Sequence, residues 1–158
     1  MHYSLARTLQ RIGSRWSPLA MSDLALGASR FEQLAEDLGL PRGTLADLLR
    51  GLVERGLVER TPYQHNPIRH DYKLSEAGRE LMPVFMAMTA WGERWTMPEG
   101  GPTVCFRHRP CGHFISPRVD CPKCGASITL DEVDVHAGPG RLVGPRTMLQ
   151  RVFIATRR

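Results

Sequence analysis

The stretch Ser-Arg-Phe-Glu-Gln-Leu-Ala-Glu-Asp-Leu-Gly-Leu-Pro-Arg-Gly-Thr-Leu-Ala-Asp-Leu-Leu-Arg-Gly-Leu-Val, residues 29–53, predicts two helices joined by a tight turn. Ser29 is placed to cap the first helix, and Glu32 to return the bond as a capping box. Phe31, Leu34, Ala35 and Leu38 fall at the i, i+3, i+4, i+7 spacing of one buried face. Gly39 offers the left-handed conformation that ends a helix, and Pro41 stands where a second one starts. Leu45, Leu48, Leu49 and Leu52 form the next apolar stripe, closed by Gly56. The opposite face carries Arg42, Thr44, Ala46, Asp47 and Arg50, which are small, polar or basic. Two short helices with such an outward face match the helix-turn-helix pattern, whose second helix enters the major groove of DNA.

Working outward, Ser4–Ile12 predicts a helix with Leu5, Leu9 and Ile12 on one side, broken at Gly13. Trp16 follows as a core anchor. Ser17 as a cap and Pro18 in a first turn open another helix, ended by Gly27. Beyond the central pair, residues 57–63 and 68–74 read as two strands around the turn Gln64-His65-Asn66-Pro67. A hairpin directly after a recognition-type helix is a wing. Arg60, His65, Arg69, His70 and Lys73 make it basic, and Gln64 and Asn66 bring amides to its tip. The expected DNA contacts are therefore Arg42, Thr44, Asp47 and Arg50 in the groove, with Gln64, His65, Asn66, Arg69 and His70 on the wing.

Ser75 is placed to cap a helix from Glu76 to about Trp95, with Ala77, Leu81, Val84, Phe85, Met88, Trp91 and Trp95 along one side. A stripe this wide can bury against a second subunit as well as the chain's own core. A homodimer is expected, because a single module reads one half-site and two-fold pairing supplies affinity and specificity.

The order Arg7-Thr8-Leu9, Ile12-Gly13-x-x-Trp16, Arg30-Phe31-x-x-Leu34, Leu45-x-x-x-Leu49-x-x-Leu52, Gly56-Leu57-Val58-x-Arg60, Tyr63-x-x-x-Pro67, Tyr72-x-Leu74-Ser75-x-x-Gly78 and Trp91-Gly92 resembles the HxlR-type winged helix-turn-helix transcription regulators. The resemblance runs from the start of the chain to about Trp95. It implies a homodimer formed by the first and last helices of the domain, bound to duplex DNA at an inverted repeat, usually near a promoter. It also implies no enzymatic activity. Many members carry a sensing cysteine just ahead of the first helix. Tyr3 and Ser4 stand there instead, which excludes thiol sensing at that position.

The 158 residues suit one domain plus a small appendage, and 42% hydrophobic content makes the chain globular. A formal charge of +5 favours a polyanionic partner. No apolar run reaches the roughly 18 residues a membrane span needs, and the N-terminus lacks a signal peptide's pattern. A cytoplasmic protein with no membrane partner is expected, in which clustered cysteines suggest metal more than disulfides.

Met97-Pro98-Glu99-Gly100-Gly101-Pro102 is linker material, and all four cysteines follow it. His108-Arg109-Pro110-Cys111-Gly112 and Cys121-Pro122-Lys123-Cys124-Gly125 repeat one pattern of ligand, two residues, cysteine, glycine. Two intervening residues let a turn aim both ligands at one ion, and the glycine lets N–H groups approach the sulfur. His108, Cys111, Cys121 and Cys124 are the expected Cys₃His zinc set of a small zinc ribbon, with Cys105 and His113 as rivals for the first position. Such a closed site is structural, and some HxlR-type regulators look similar in this extension. Cys105, His108 and His113 could also be combined into a nucleophile and base, but no orienting group or oxyanion site accompanies them.

The expected architecture is α+β: a winged helix-turn-helix domain at 1–97, mainly α with a β-hairpin wing, a zinc-ribbon-like domain at 98–135, and a basic segment at 136–158. That last segment carries Arg141, Arg146, Arg151, Arg157 and Arg158, with a strand or helix expected near 148–154. The expected function is a sequence-specific transcription regulator, with repression favoured. The alternative is a ribbon adaptor whose basic surface meets protein or RNA.

Overall fold

The periodicities resolve, in the computed structural model, into helices α1 (Ser4–Ile12), α2 (Ser17–Leu26), α3 (Phe31–Leu38) and α4 (Arg42–Glu54), then strands β1 (Val58–His65) and β2 (Ile68–Leu74). Helix α5 (Glu76–Trp95), strands β3 (Phe106–Arg107) and β4 (Phe114–Ile115) and a 3-10 turn at Leu130–Glu132 complete the order. The structure describes residues 4–96 and 99–135, so the expectations for 136–158 lie outside the described residues. The chain divides into two compact units, Arg11–Pro117 and a second made of Met1–Gln10 with Arg118–Arg158.

Glycines end the helices as the sequence implies: Gly27 (φ 111°) closes α2 and Gly39 (φ 60°) closes α3. Two helix starts differ from expectation. Ser17 is the first helical residue of α2, with Trp16 at the cap position. Its N–H is already bonded to the Ser14 carbonyl and its hydroxyl is turned into the core without a partner. Helix α3 begins one residue late, which puts Arg30 at the cap. Gln33, not Glu32, is then the third helical residue, and its Oε1 accepts from the N–H groups of Ser29 and Arg30, both at 3.0 Å. The cause is tertiary: Arg30 is held extended by an antiparallel bridge to Asp71 of β2, and the Tyr72 N–H donates to the Ser29 carbonyl at 2.7 Å. The Ser29/Glu32 capping box is thereby replaced.

Strands β1 and β2 pair antiparallel from Val58↔Leu74 to His65↔Ile68, with a bulge between Pro62 and Gln64. Leu34 of α3, the four leucines of α4, Ala20, Met21 and Leu24 of α2, and Leu57, Val58, Leu74 and Phe85 form one buried cluster. Each fully buried leucine contributes about 1.5–3 kcal/mol, so this cluster fixes the orientation of α4. The Ser75 hydroxyl accepts from the Gly78 N–H at 3.1 Å and donates to the Gly56 carbonyl at 2.8 Å, tying the end of α4 to the start of α5. Helix α5 buries Phe85 and packs Ala77, Leu81 and Met82 on the core. Met88, Trp91 and Trp95 are left 58%, 63% and 64% exposed. No helix among the described residues is long and apolar enough to cross a membrane.

Candidate nucleic-acid interface

With Leu45, Leu48, Leu49 and Leu52 inward, the 3.6-residue period leaves Arg42, Thr44, Asp47 and Arg50 exposed on the outer side of α4. Both arginines are pre-oriented. Arg42 Nη2 donates to Glu32 Oε1 at 3.2 Å, and its guanidinium lies 4.9 Å from the Phe31 ring centroid. Glu32, freed from capping, is held below the usual carboxylate range by its own backbone N–H and by Arg42, with Arg69 adding a weaker attraction. Arg50 donates to Asp47 one turn earlier on the same helix. The outward face therefore presents donors whose acceptors are exposed carboxylates, a pairing worth little in water and readily exchanged for another anion.

The wing brings the second expected group together. Gln64 pairs with Arg69 and His65 with Ile68 across the hairpin, and His65, Asn66 and Arg69 are exposed, while Gln64 and His70 are half-buried. Gln64 Nε2 donates to the Asn66 carbonyl at 3.1 Å, which braces the tip.

One residue of this surface was not singled out as a contact from the sequence. Arg30 joins the wing to α3 through its backbone bridge to Asp71, its Nε lies 3.9 Å from Asp71 Oδ1, and its guanidinium stacks 4.8 Å from the Tyr63 ring centroid. The bond partners are far apart in the chain, so no local pattern announces them.

The cysteine segment contains two turns of the same design. In the first, His108 N–H donates to the His113 carbonyl at 2.9 Å and Gly112 N–H to the His108 carbonyl at 2.8 Å. In the second, Cys121 N–H donates to the Ala126 carbonyl at 2.7 Å and Gly125 N–H to the Cys121 carbonyl at 2.8 Å. Gly112 (φ 73°) and Gly125 (φ 75°) both take the left-handed conformation this turn requires. His108 Nδ1 lies 3.2 Å from Cys111 Sγ. N–H groups of Cys124 and Lys123, and then the Cys124 thiol, pull the Cys121 thiol below its ordinary pKa. Cys105 is exposed outside both turns, and His113 enters the first through its carbonyl. His108 and Cys111 belong to one compact unit and Cys121 and Cys124 to the other. Among the described residues, no group of three or more His, Cys, Asp or Glu side chains is placed to hold a metal ion.

The model of the HxlR-like helix-turn-helix family matches residues 11–100. A relative in Mycobacterium tuberculosis (strain H37Rv), named as an uncharacterised HTH-type transcriptional regulator, is 42% identical over 137 residues, covering 87% of each chain. The HTH-type transcriptional regulator YodB of Bacillus subtilis is 34% identical over 95 residues, covering 60% of this chain and 83% of its own. A crystal structure described as a candidate transcription factor, PA1607, superposes with a TM-score of 0.74 at 30% identity, over 85% of this chain and 94% of its own. The matched family spans both α4 and the wing, and on that basis this chain belongs to the HxlR-like helix-turn-helix family of transcription regulators.

Proposed function

We propose that the protein is a cytoplasmic homodimer that binds double-stranded DNA sequence-specifically at an inverted repeat and acts as a repressor. The observation that carries this reading is the exposed set Arg42, Thr44, Asp47 and Arg50 on a helix whose other face is locked in the core, beside a basic hairpin. Arg42 and Arg50 suit bidentate pairing with guanine, Asp47 suits a cytosine amino group, and Thr44 a base edge or methyl. Gln64, His65, Asn66, Arg69 and His70 serve the backbone next to the groove. Pairing of two copies draws support from the apolar positions left exposed, Leu5 and Leu9 on α1 and Met88, Trp91 and Trp95 on α5. The matched relatives are named as transcription regulators, and none of those names favours an adaptor for protein or RNA.

As part of the same proposal, zinc is the cofactor of the cysteine segment, and His108, Cys111, Cys121 and Cys124 are the residues that would hold it. Bound there, zinc would supply cross-linking of a segment too small to bury a core, with no open position for chemistry. This reading keeps 1–97 as the DNA-binding and dimerisation domain, 98–135 as the zinc-ribbon-like domain and 136–158 as a basic tail.

Selection of bound sequences from random duplexes tests the proposal. Two related inverted half-sites should emerge, centred about 10 base pairs apart or a multiple of it. Arg50→Ala should relax preference at one position of each half-site, whereas Arg69→Ala should weaken all sequences alike and lower the salt slope by about one per wing. Recovery of no preferred sequence at moderate salt would reject the reading.

A further inference from the structure

Between α2, β2 and the first turns of α5 lies a cleft of about 490 Å³, inside the roughly 300–1,000 Å³ range of small-molecule sites. Its floor is apolar and fixed: Leu24 and Leu74 belong to the buried core and Met82 packs against it. Two cations line it, Lys73 on β2 and Arg79 on α5, both exposed. Arg79 Nη1 donates to the Leu74 carbonyl at 2.7 Å, which anchors the guanidinium and leaves its other N–H groups to serve a ligand. Among the described residues no carboxylate forms an ion pair with Arg79, and no Asp or Glu lines the cleft. Acidic groups gather instead in an adjoining depression past Gly27 and Ala28, where Asp23, Glu36 and Asp37 stand together. An anion in the cleft would be repelled from that side and drawn toward Arg79. Neither Arg79 nor Met82 belongs to the outer face of α4 or to the wing tip, so DNA contact makes no use of them.

We propose that this cleft binds a small aromatic carboxylate, its ring against Leu24, Leu74 and Met82 and its carboxylate on Arg79. A flat ring suits an apolar floor with a methionine thioether beside it, and a carboxylate matches the planar guanidinium fork. Tyr72 lies on the wing strand and Arg79 on α5, so an occupant bridges the wing to the helix with the exposed tryptophans. Any effect on operator binding rests on the DNA-binding reading; occupancy itself does not.

Isothermal titration of the full chain without DNA tests occupancy, with 1-naphthoate, its neutral alcohol analogue and 1-naphthylmethylamine as probes. The acid should bind saturably at one site per chain, at least about tenfold tighter than either analogue. Arg79→Met should remove most of that preference for the acid, and Arg79→Met combined with Lys73→Met all of it. Ala25→Trp should abolish binding of all three, because Ala25 lines the cleft from an exposed position on α2 and its replacement leaves the core intact. Absence of binding to the parent protein, equal binding of the three probes, or undiminished acid binding in the Trp variant would each overturn the proposal. Failure of the sequence selection would leave this titration unaffected, so the two readings fall separately.

Discussion

At Gly78 a methyl group would overlap the Leu57 carbonyl oxygen, a backbone atom already accepting from the Ser75 N–H at 3.1 Å. Neither partner can swing away, so Gly78→Ala should cost about 1–3 kcal/mol, read from denaturant unfolding. An unchanged midpoint would show that the α4–α5 joint yields. Asp23 carries a different strain. Burial, then the charge of Asp37, raises its carboxyl above the ordinary 3.8, and its Oδ2 has no hydrogen-bond partner. The folded chain therefore holds this proton more tightly than the unfolded one. Stability from this group is highest below pH 3.8 and falls as pH rises through the folded value. Asp23→Asn escapes that loss: it should melt higher than the parent at pH 7, with the gap closing as pH drops below about 4. A gap equal at pH 3 and pH 7 would contradict the sign.

Among the elements, α4 and α5 divide the labour. Helix α4 is amphipathic in the ordinary sense, with its apolar stripe satisfied by α2, α3 and the base of the hairpin. Helix α5 buries Phe85 and keeps a run of large apolar side chains in water. In the proposed homodimer this face would meet a second copy of α5 under two-fold symmetry. Trp91→Glu alters an exposed position, so folding should persist while sedimentation shifts from dimer toward monomer and operator binding weakens. Wild-type protein that sediments as a monomer at micromolar concentration would dismiss the pairing.

For the whole molecule, binding of the proposed zinc would be coupled to folding of the cysteine segment. Elemental analysis should find one zinc per chain. The double variant Cys121→Ser, Cys124→Ser should lose it while keeping the helical signal of α2 to α5. Retention of stoichiometric zinc in that variant would exclude the proposed ligand set.

Most of the fold was legible because its determinants are local. The 3.6-residue spacing of the α4 leucines sets which side faces the core, and thereby exposes Arg42, Thr44, Asp47 and Arg50. The glycines at 27 and 39 end helices through their own backbone freedom, and the wing follows from two short strands around a turn. The repeated spacing of the cysteine turns likewise needs only neighbours. Tertiary structure alone decided what depends on distant partners. The bridge from Arg30 to Asp71 delays α3 by a residue, moves the capping role to Gln33, and releases Glu32 to hold Arg42. Ser17 turns inward and the α5 tryptophans stay outward for the same physical reason: burial is set by what packs alongside, which no stretch of neighbouring residues contains.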